Sequence, residues 1–280
     1  MKIGLEVHVQ LPTKSKLFCS CSTVSSFPNE SVCPTCMGFP GSRPTLNRKA
    51  VELALQCAHA LNCKIPETSK FARKSYFYPD LPKDFQITQY ESPVGVEGYV
   101  DIGSKRIRIR RIHLEEDPAR LVHDLVPGQV GTLVDYNRSG IPLIEIVTEP
   151  DITTPEDARL FLRYLYAILD HAKILTANPA QTIRTDANIS IGEVRVEIKN
   201  ITGLKNVEKA LEFEYERQKW ELDYGGTVVT ETRHYHEPSG ETRSARLKES
   251  EEDYGYIFEP DLPILNFRKL EPEIEQPETI

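Results

Sequence analysis

Five short segments of this chain read as strands that carry aliphatic side chains on one face and charge on the other. In KIGLEVHVQL (residues 2–11), Ile3, Leu5, Val7 and Val9 point one way and Glu6, His8 and Gln10 the other. IHLEED puts His113 and Glu115 on one strand face, with Glu116 adjacent and Asp117 next. PLIEIVTEPD breaks an apolar run with Glu145. IRTDANIS aligns Arg184, Asp186 and Asn188, and VRVEIKN aligns Arg195, Glu197 and Lys199. Unpaired charge is costly to bury, so such a face is solvated, paired internally, or a site.

This alternation disfavours a parallel sheet buried on both sides, and the order of strands and helices follows no βαβ rhythm. The expected fold is α+β: a curved, largely antiparallel sheet with helices on one side. One helix is predicted over 47–62, with Val51, Leu55, Ala58 and Leu61 on its apolar face. A second is capped by Thr154, with Pro155 in its first position, Asp157 three after the cap, and a stripe of Leu160, Tyr164, Leu165 and Ile168. A third, about 203–224, holds Val207, Leu211 and Tyr215 in register and closes at Gly225–Gly226. A hairpin is expected around Pro238–Gly240.

A length of 280 residues suits one large domain or two modest ones. The net charge of −8 argues against general nucleic-acid binding, where phosphate contacts dominate. The dense basic run SKRIRIRRIH puts Arg106, Arg108 and Arg110 on one strand face, as a solvated face or as a phosphate contact. No apolar run approaches the ~18 residues of a membrane span, and no signal pattern opens the chain, so a cytoplasmic location and no membrane partner are expected.

Oxygen ligands with an occasional imidazole suit Mg²⁺ or Mn²⁺. Arg184, Arg195 and Lys199 suit developing phosphate charge. The chain has neither a Walker-type phosphate loop nor a dinucleotide glycine fingerprint, so any nucleotide at this face must be held by carboxylate-bound metal and by arginines.

Cys19, Cys21, Cys33 and Cys36 form C-x-C-x₁₁-C-x₂-C inside a loop-like stretch, 12–45. The spacing favours a tetrahedral thiolate site for structural Zn²⁺, which would order a segment with little core of its own. The plain alternative is small cysteines in a loop. A four-thiolate site leaves no open position for catalysis. No His lies close in sequence to activate a thiol, and reducing surroundings argue against disulfides.

IGLEVHVQL, LFCSCST, VCPTCMGFPG, KFARKSYFYPDLPK, RIHLEED, VDYNRSGIPLIEIVTEPD, RTDANIS, VEIKN and GETRSARLKESEEDYGYIFEPDLP occur in this order. Together they resemble the B subunits of tRNA-dependent aspartyl/glutamyl amidotransferases across about residues 2–265. The resemblance implies a catalytic domain similar in fold to glutamine synthetase and the guanidino kinases. It implies ATP- and Mg²⁺-dependent phosphorylation of Glu on misacylated tRNA(Gln), or Asp on tRNA(Asn), followed by amidation. The ammonia would come from a glutaminase A subunit, and a small C subunit is a further expected partner. The acceptor end of the tRNA is the expected substrate.

Carried over by motif, Glu6, His8, Glu116 and Glu145 are the expected Mg²⁺ ligands and catalytic residues, with Glu115 beside them. Arg184, Arg195 and Lys199 would face phosphate, and Asp186 and Glu197 would share the nucleotide site. Tyr78 and Lys83 lie in a motif of the active-site cleft. Residues 1–268 form the expected catalytic domain and 269–280 a loosely ordered acidic end or linker, without the helical and tail domains of the family. The alternatives are a non-catalytic zinc-containing scaffold subunit, or a glutamine-synthetase-like ligase acting on a free amino acid.

Overall fold

The structure is a computed structural model and describes residues 1–122, 131–175, 183–247 and 255–270. The acidic run at 248–254 and residues 271–280, most of the expected acidic end, lie outside the described residues.

In chain order the principal elements are β1 (Lys2–Gln10), α1 (Arg48–Ala60), β2 (Thr68–Ser69), β3 (Ala72–Ser75), β4 (Phe85–Thr88), β5 (Gly95–Ile102) and β6 (Lys105–Glu116). There follow β7 (Arg120–Val122), β8 (Leu133–Asp135), β9 (Pro142–Thr148), α2 (Pro155–His171), β10 (Ile183–Ser190), β11 (Val196–Ile201) and α3 (Leu204–Asp223). The hairpin β12 (Glu231–His236) and β13 (Glu241–Leu247) comes next, then β14 (Gly255–Phe258) and β15 (Leu265–Asn266).

Eight strands form the main sheet, in the order β13-β12-β11-β10-β1-β9-β6-β5. Each neighbouring pair is antiparallel except β11–β12, which is parallel. Alternation along β1 sends Ile3, Leu5, Val7 and Val9 into the core, each at most 1% exposed. They join Val51, Leu55, Phe161, Leu165, Val207 and Leu211 of the three helices in one hydrophobic cluster. Burial of this aliphatic face is the main driving force for closing the sheet onto its helices. The opposite face is thereby free to carry charge.

The helix ends follow local chemistry. Asn47 caps α1 by accepting from the Ala50 N–H. Thr154 caps α2 by accepting from the Asp157 N–H at 3.1 Å, and Pro155 needs no donor there. At the end of α3, the Gly226 N–H bonds Glu221 O and the Gly225 N–H bonds Leu222 O, with Gly225 at φ +75°. This six-to-one, five-to-two pattern uses the left-handed conformation that glycine adopts without steric cost.

One buried stripe differs from expectation. Helix α2 buries Ala158, Phe161, Leu162, Leu165 and Leu169, whereas Tyr164 is 42% exposed. The segment LFLRYLYAIL is apolar nearly all round, and packing against both α3 and β5 selects its face. Among the described residues no helix is long and apolar enough to cross a membrane.

Strand β6 carries the irregularity that matters most for the site. Its register against β9 shifts between Ile109 and Arg111. Ile107 and Ile109 point into the core before the shift, and Ile112 and Leu114 after it. The bulge therefore puts Arg106, Arg108 and Arg110 on the same face as His113 and Glu115, despite their opposite parity.

Candidate functional site

Strands β1, β9 and β6 lie side by side, and Glu145 on β9 is the cross-strand partner of His8 on one side and His113 on the other. His8 Nε2 lies 3.5 Å from Glu115 Oε1 and 3.6 Å from Glu145 Oε2. His113 Nε2 lies 3.1 Å from the same Glu145 oxygen and 3.9 Å from Glu115 Oε2. One ligand atom each from His8, Glu115 and Glu145 fits within 4.8 Å. An octahedral ion with ligands at about 2.1 Å sets adjacent donors about 3 Å apart, so this donor set fits a small hard cation.

The acidic field continues across β10 and β11. Glu6 is paired with Asp186 in the β1–β10 register, and Asn188 Nδ2 donates to Glu6 Oε1 at 3.0 Å. Asp186 accepts from the Asn200 N–H at 2.7 Å, and Lys199 Nζ lies 3.5 Å from both Asp186 and Glu197. Thr232 on β12 donates to Glu197 at 2.9 Å. Arg184 is held by Asp117, its Nη2 donating at 2.7 Å, and Asp117 is also 3.5 Å from Arg138.

Burial and mutual repulsion set the protonation. Burial, followed by the charges of Glu145 and Asp186, pushes the Glu6 carboxyl up. Glu115 rises to about 7, from burial and then the Glu145 charge. For His8, burial acts downward, but its contact with Glu145 and the charges of Glu145 and Glu115 outweigh it, raising the imidazole to about 10. Glu145 is held well below the usual carboxylate range: burial opposes this, and the two histidines overcome it. Burial and crowding thus favour a proton on Glu6 and Glu115, the neighbouring carboxylates favour one on His8, and Glu145 stays ionised between the two histidines.

Glu116 stands apart from this cluster. Alternation along β6 turns it to the other face, where it is 3% exposed and pairs with Lys83. Its Oε1 also accepts from the Ile87 N–H at 2.9 Å. Arg195 immediately precedes β11 and is exposed. Tyr78 is 53% exposed. Arg106, Arg108 and Arg110 are each paired, with Asp101, Asp151 and Glu149, which supports the solvated-face reading of that run.

Sequence reasoning left His113, Asp117 and Thr232 out of the candidate site. His113 had a signal, because it shares the face of Glu115 two residues away. Thr232 had none, since parallel pairing brings it to Glu197 from 35 residues along the chain.

The four cysteine sulfurs also lie within 4.8 Å of one another. A tetrahedral site with Zn–S bonds of about 2.3 Å has sulfurs about 3.8 Å apart, so the cluster fits such an ion. Contact with the Cys19 thiol, against burial and with help from the Cys33 N–H and Lys16, lowers Cys36 to about 4. Lys16 is fully buried, with Nζ 3.6 Å from Cys36 Sγ.

A family model described as the GatB/GatE catalytic domain matches residues 1–271. The chain belongs to that family. Its relatives include proteins named as the B subunit of aspartyl/glutamyl-tRNA(Asn/Gln) amidotransferase. The one from Methanoregula boonei is 52% identical over 286 residues, covering 99% of this chain and 59% of its own length. That of Methanospirillum hungatei is 52% identical, covering 99% of this chain and 60% of its own. That of Caldanaerobacter subterraneus is 48% identical, covering 98% and 60%. The chain thus spans about three-fifths of the length of these GatB-family relatives, and the resemblance read from its motifs is borne out.

Proposed function

We propose that this chain carries the kinase and transamidase chemistry of a tRNA-dependent aspartyl/glutamyl amidotransferase. The observation that carries the reading is the half-buried cluster of His8, Glu115 and Glu145, flanked by Arg184 and Lys199. Family membership and relatives named as amidotransferase B subunits support it. The large antiparallel sheet with one charged face supports the likeness to glutamine synthetase and the guanidino kinases.

In this reading the side-chain carboxylate of Glu or Asp, esterified to tRNA, attacks the γ-phosphorus of ATP, and ADP leaves. Ammonia then attacks the activated carbonyl carbon, the acyl C–O bond breaks, phosphate departs, and the nitrogen loses a proton to give the amide. A divalent ion held by His8, Glu115 and Glu145, with Glu6 nearby, supplies neutralisation of phosphate charge when bound. Arg184, oriented by Asp117, and Lys199, between Asp186 and Glu197, face the transferring phosphoryl group. Arg195, exposed before β11, is left out of this set. The cysteine cluster takes a structural Zn²⁺. The ammonia comes from a glutaminase A subunit, a C subunit completes the complex, and the site of action is the cytoplasm. Residues 1–268 form the catalytic unit.

The test combines the chain with a cognate A subunit, ATP and misacylated Glu-tRNA(Gln), using glutamine or ammonium as donor and free glutamate as an alternative acceptor. Mg²⁺-dependent Gln-tRNA is the expected product. Amidation of free glutamate alone, or product made equally without a divalent ion, would overturn the reading.

A further inference from the structure

The cysteine loop and the carboxylate cluster, distant in sequence and separate in chemistry, meet through three residues. Gly38, two residues after Cys36, has φ +69° and lies against Lys83. A Cβ at Gly38 would come within 2.5 Å of Lys83 Cγ and 3.0 Å of its Cα. Only a residue without a Cβ leaves Lys83 its present place, from which it pairs with Glu116, and both side chains of this ion pair are under 10% exposed. Glu116 is fixed further by the Ile87 N–H at its carboxylate and by Gln86 Nε2, which donates to its backbone carbonyl at 2.7 Å.

A second path runs through Gly140. A Cβ there would lie 3.6 Å from Cys36 Cβ and 3.8 Å from Glu116 Oε2, so the thiolate site and Glu116 flank the same glycine. The Leu17 N–H bonds Gly140 O at 2.8 Å, and the Gly140 N–H bonds Asp117 O at 2.9 Å. Lys16, Cys19, Cys36, Gly38, Lys83 and Glu116 all line one cavity of about 180 Å³. Glu116 and Glu115 are consecutive on β6 and point to opposite faces, so the stretch of backbone anchored through Glu116 also carries Glu115 in the cluster.

We infer that the cysteine loop positions Glu115 through Gly38, Lys83 and Glu116, so that metal held by the loop tightens divalent binding at the carboxylate cluster. Gly38 and Lys83 are positioning residues, and the coupling is reciprocal. The inference rests on the proposed reading that both clusters hold metal.

The experiment titrates the zinc-loaded chain with Mn²⁺ and follows free Mn²⁺ by electron paramagnetic resonance, with Glu145→Gln as the control that removes the site. Gly38→Ala and Lys83→Met keep all four cysteines. They should retain zinc and overall fold, by metal analysis and circular dichroism, yet bind Mn²⁺ roughly tenfold more weakly, as expected when an outer partner of a metal ligand is disturbed. Cys36→Ser should weaken Mn²⁺ in the same direction. Should Lys83→Met misfold for want of a partner to Glu116, Gly38→Ala carries the test alone. Wild-type Mn²⁺ affinity in every variant that folds and keeps zinc, or in folded Cys36→Ser, with Glu145→Gln abolishing binding, would overturn the coupling while leaving the metal site standing. A folded wild-type chain with no Glu145-dependent Mn²⁺ binding would overturn the metal reading and the coupling with it.

Discussion

Strand β6 carries two groups of charged side chains, one on each side of its bulge, and they solve the problem of charge differently. At the open end, Arg106, Arg108 and Arg110 each meet one carboxylate, from Asp101, Asp151 and Glu149, in bidentate or near-bidentate contacts at the solvent. At the inner end, His113 and Glu115 join His8, Glu145, Glu6, Asp186, Glu197 and Lys199, a buried to half-buried set in which five carboxylates meet two imidazoles and one ammonium. The outer group is balanced pair by pair and needs nothing more. The inner group is balanced in part by Lys199 beside Asp186 and Glu197; burial and crowding raise the Glu6 and Glu115 carboxyls, and neighbouring carboxylates raise the His8 imidazole, which is consistent with the proposed cation site.

If that contrast is right, the largest effect belongs to the inner group. Glu145→Gln removes the carboxylate that both histidines share and should lower Mg²⁺-dependent amidation by at least about a hundredfold. The purified complex, assayed with ammonium so that the glutaminase plays no part, reads this directly. Activity within a few-fold of wild type would break the comparison.

The next effect concerns the cysteine cluster, where four sulfurs converge in a loop with little apolar core. Changing Cys33 and Cys36 to Ser should release about one zinc per chain by metal analysis. It should also lower the melting temperature by roughly 5 °C or more, the shift of a ~2 kcal/mol loss in a domain of this size. A zinc-free wild-type protein with unchanged melting would remove the loop metal from the account.

A smaller effect sharpens the comparison within the cluster. His113→Gln keeps a donor near Glu145 but alters its reach, and should weaken Mn²⁺ binding by about tenfold with the fold intact. Unchanged affinity by calorimetry would make His113 a packing residue only.

The outer group should show the smallest effect of all. Arg108→Ala breaks an exposed pair and should shift the melting temperature by under about 2 °C at neutral pH. The Arg108 guanidinium holds Asp151 below the usual carboxylate range, although partial burial acts the other way. Its contribution is therefore present above about pH 4 and lost as pH falls through the folded value, so the difference between variant and wild type should vanish in acid. A large effect on melting or on amidation would place this ribbon in the function after all.

Much of this division was legible in the sequence. Alternation in KIGLEVHVQL separated Glu6 and His8 from the core residues, and Thr154, Pro155 and Gly225 marked helix ends that the structure reproduces. The bulge in β6 was not read from the sequence, although the change of parity from Ile107 and Ile109 to Ile112 and Leu114 carried its signal. The partners were not legible. Whether Glu115 or Glu116 faces His8 depends on which strand lies beside β6 and in what register, and both are long-range facts. The same holds for Lys83 with Glu116, Asp117 with Arg184 and Thr232 with Glu197. Arg195 looked like a strand residue by alternation, but β11 begins at Val196, after the turn from β10. The packing face of α2 was ambiguous because two neighbours compete for a helix that is apolar nearly all round.

The most direct test of the central claim is anomalous X-ray scattering from crystals of the zinc-loaded chain soaked in Mn²⁺. The account predicts a manganese peak about 2.2 Å from His8 Nε2 and from one oxygen each of Glu115 and Glu145. A manganese peak elsewhere, with those three side chains arranged around no ion, would contradict it.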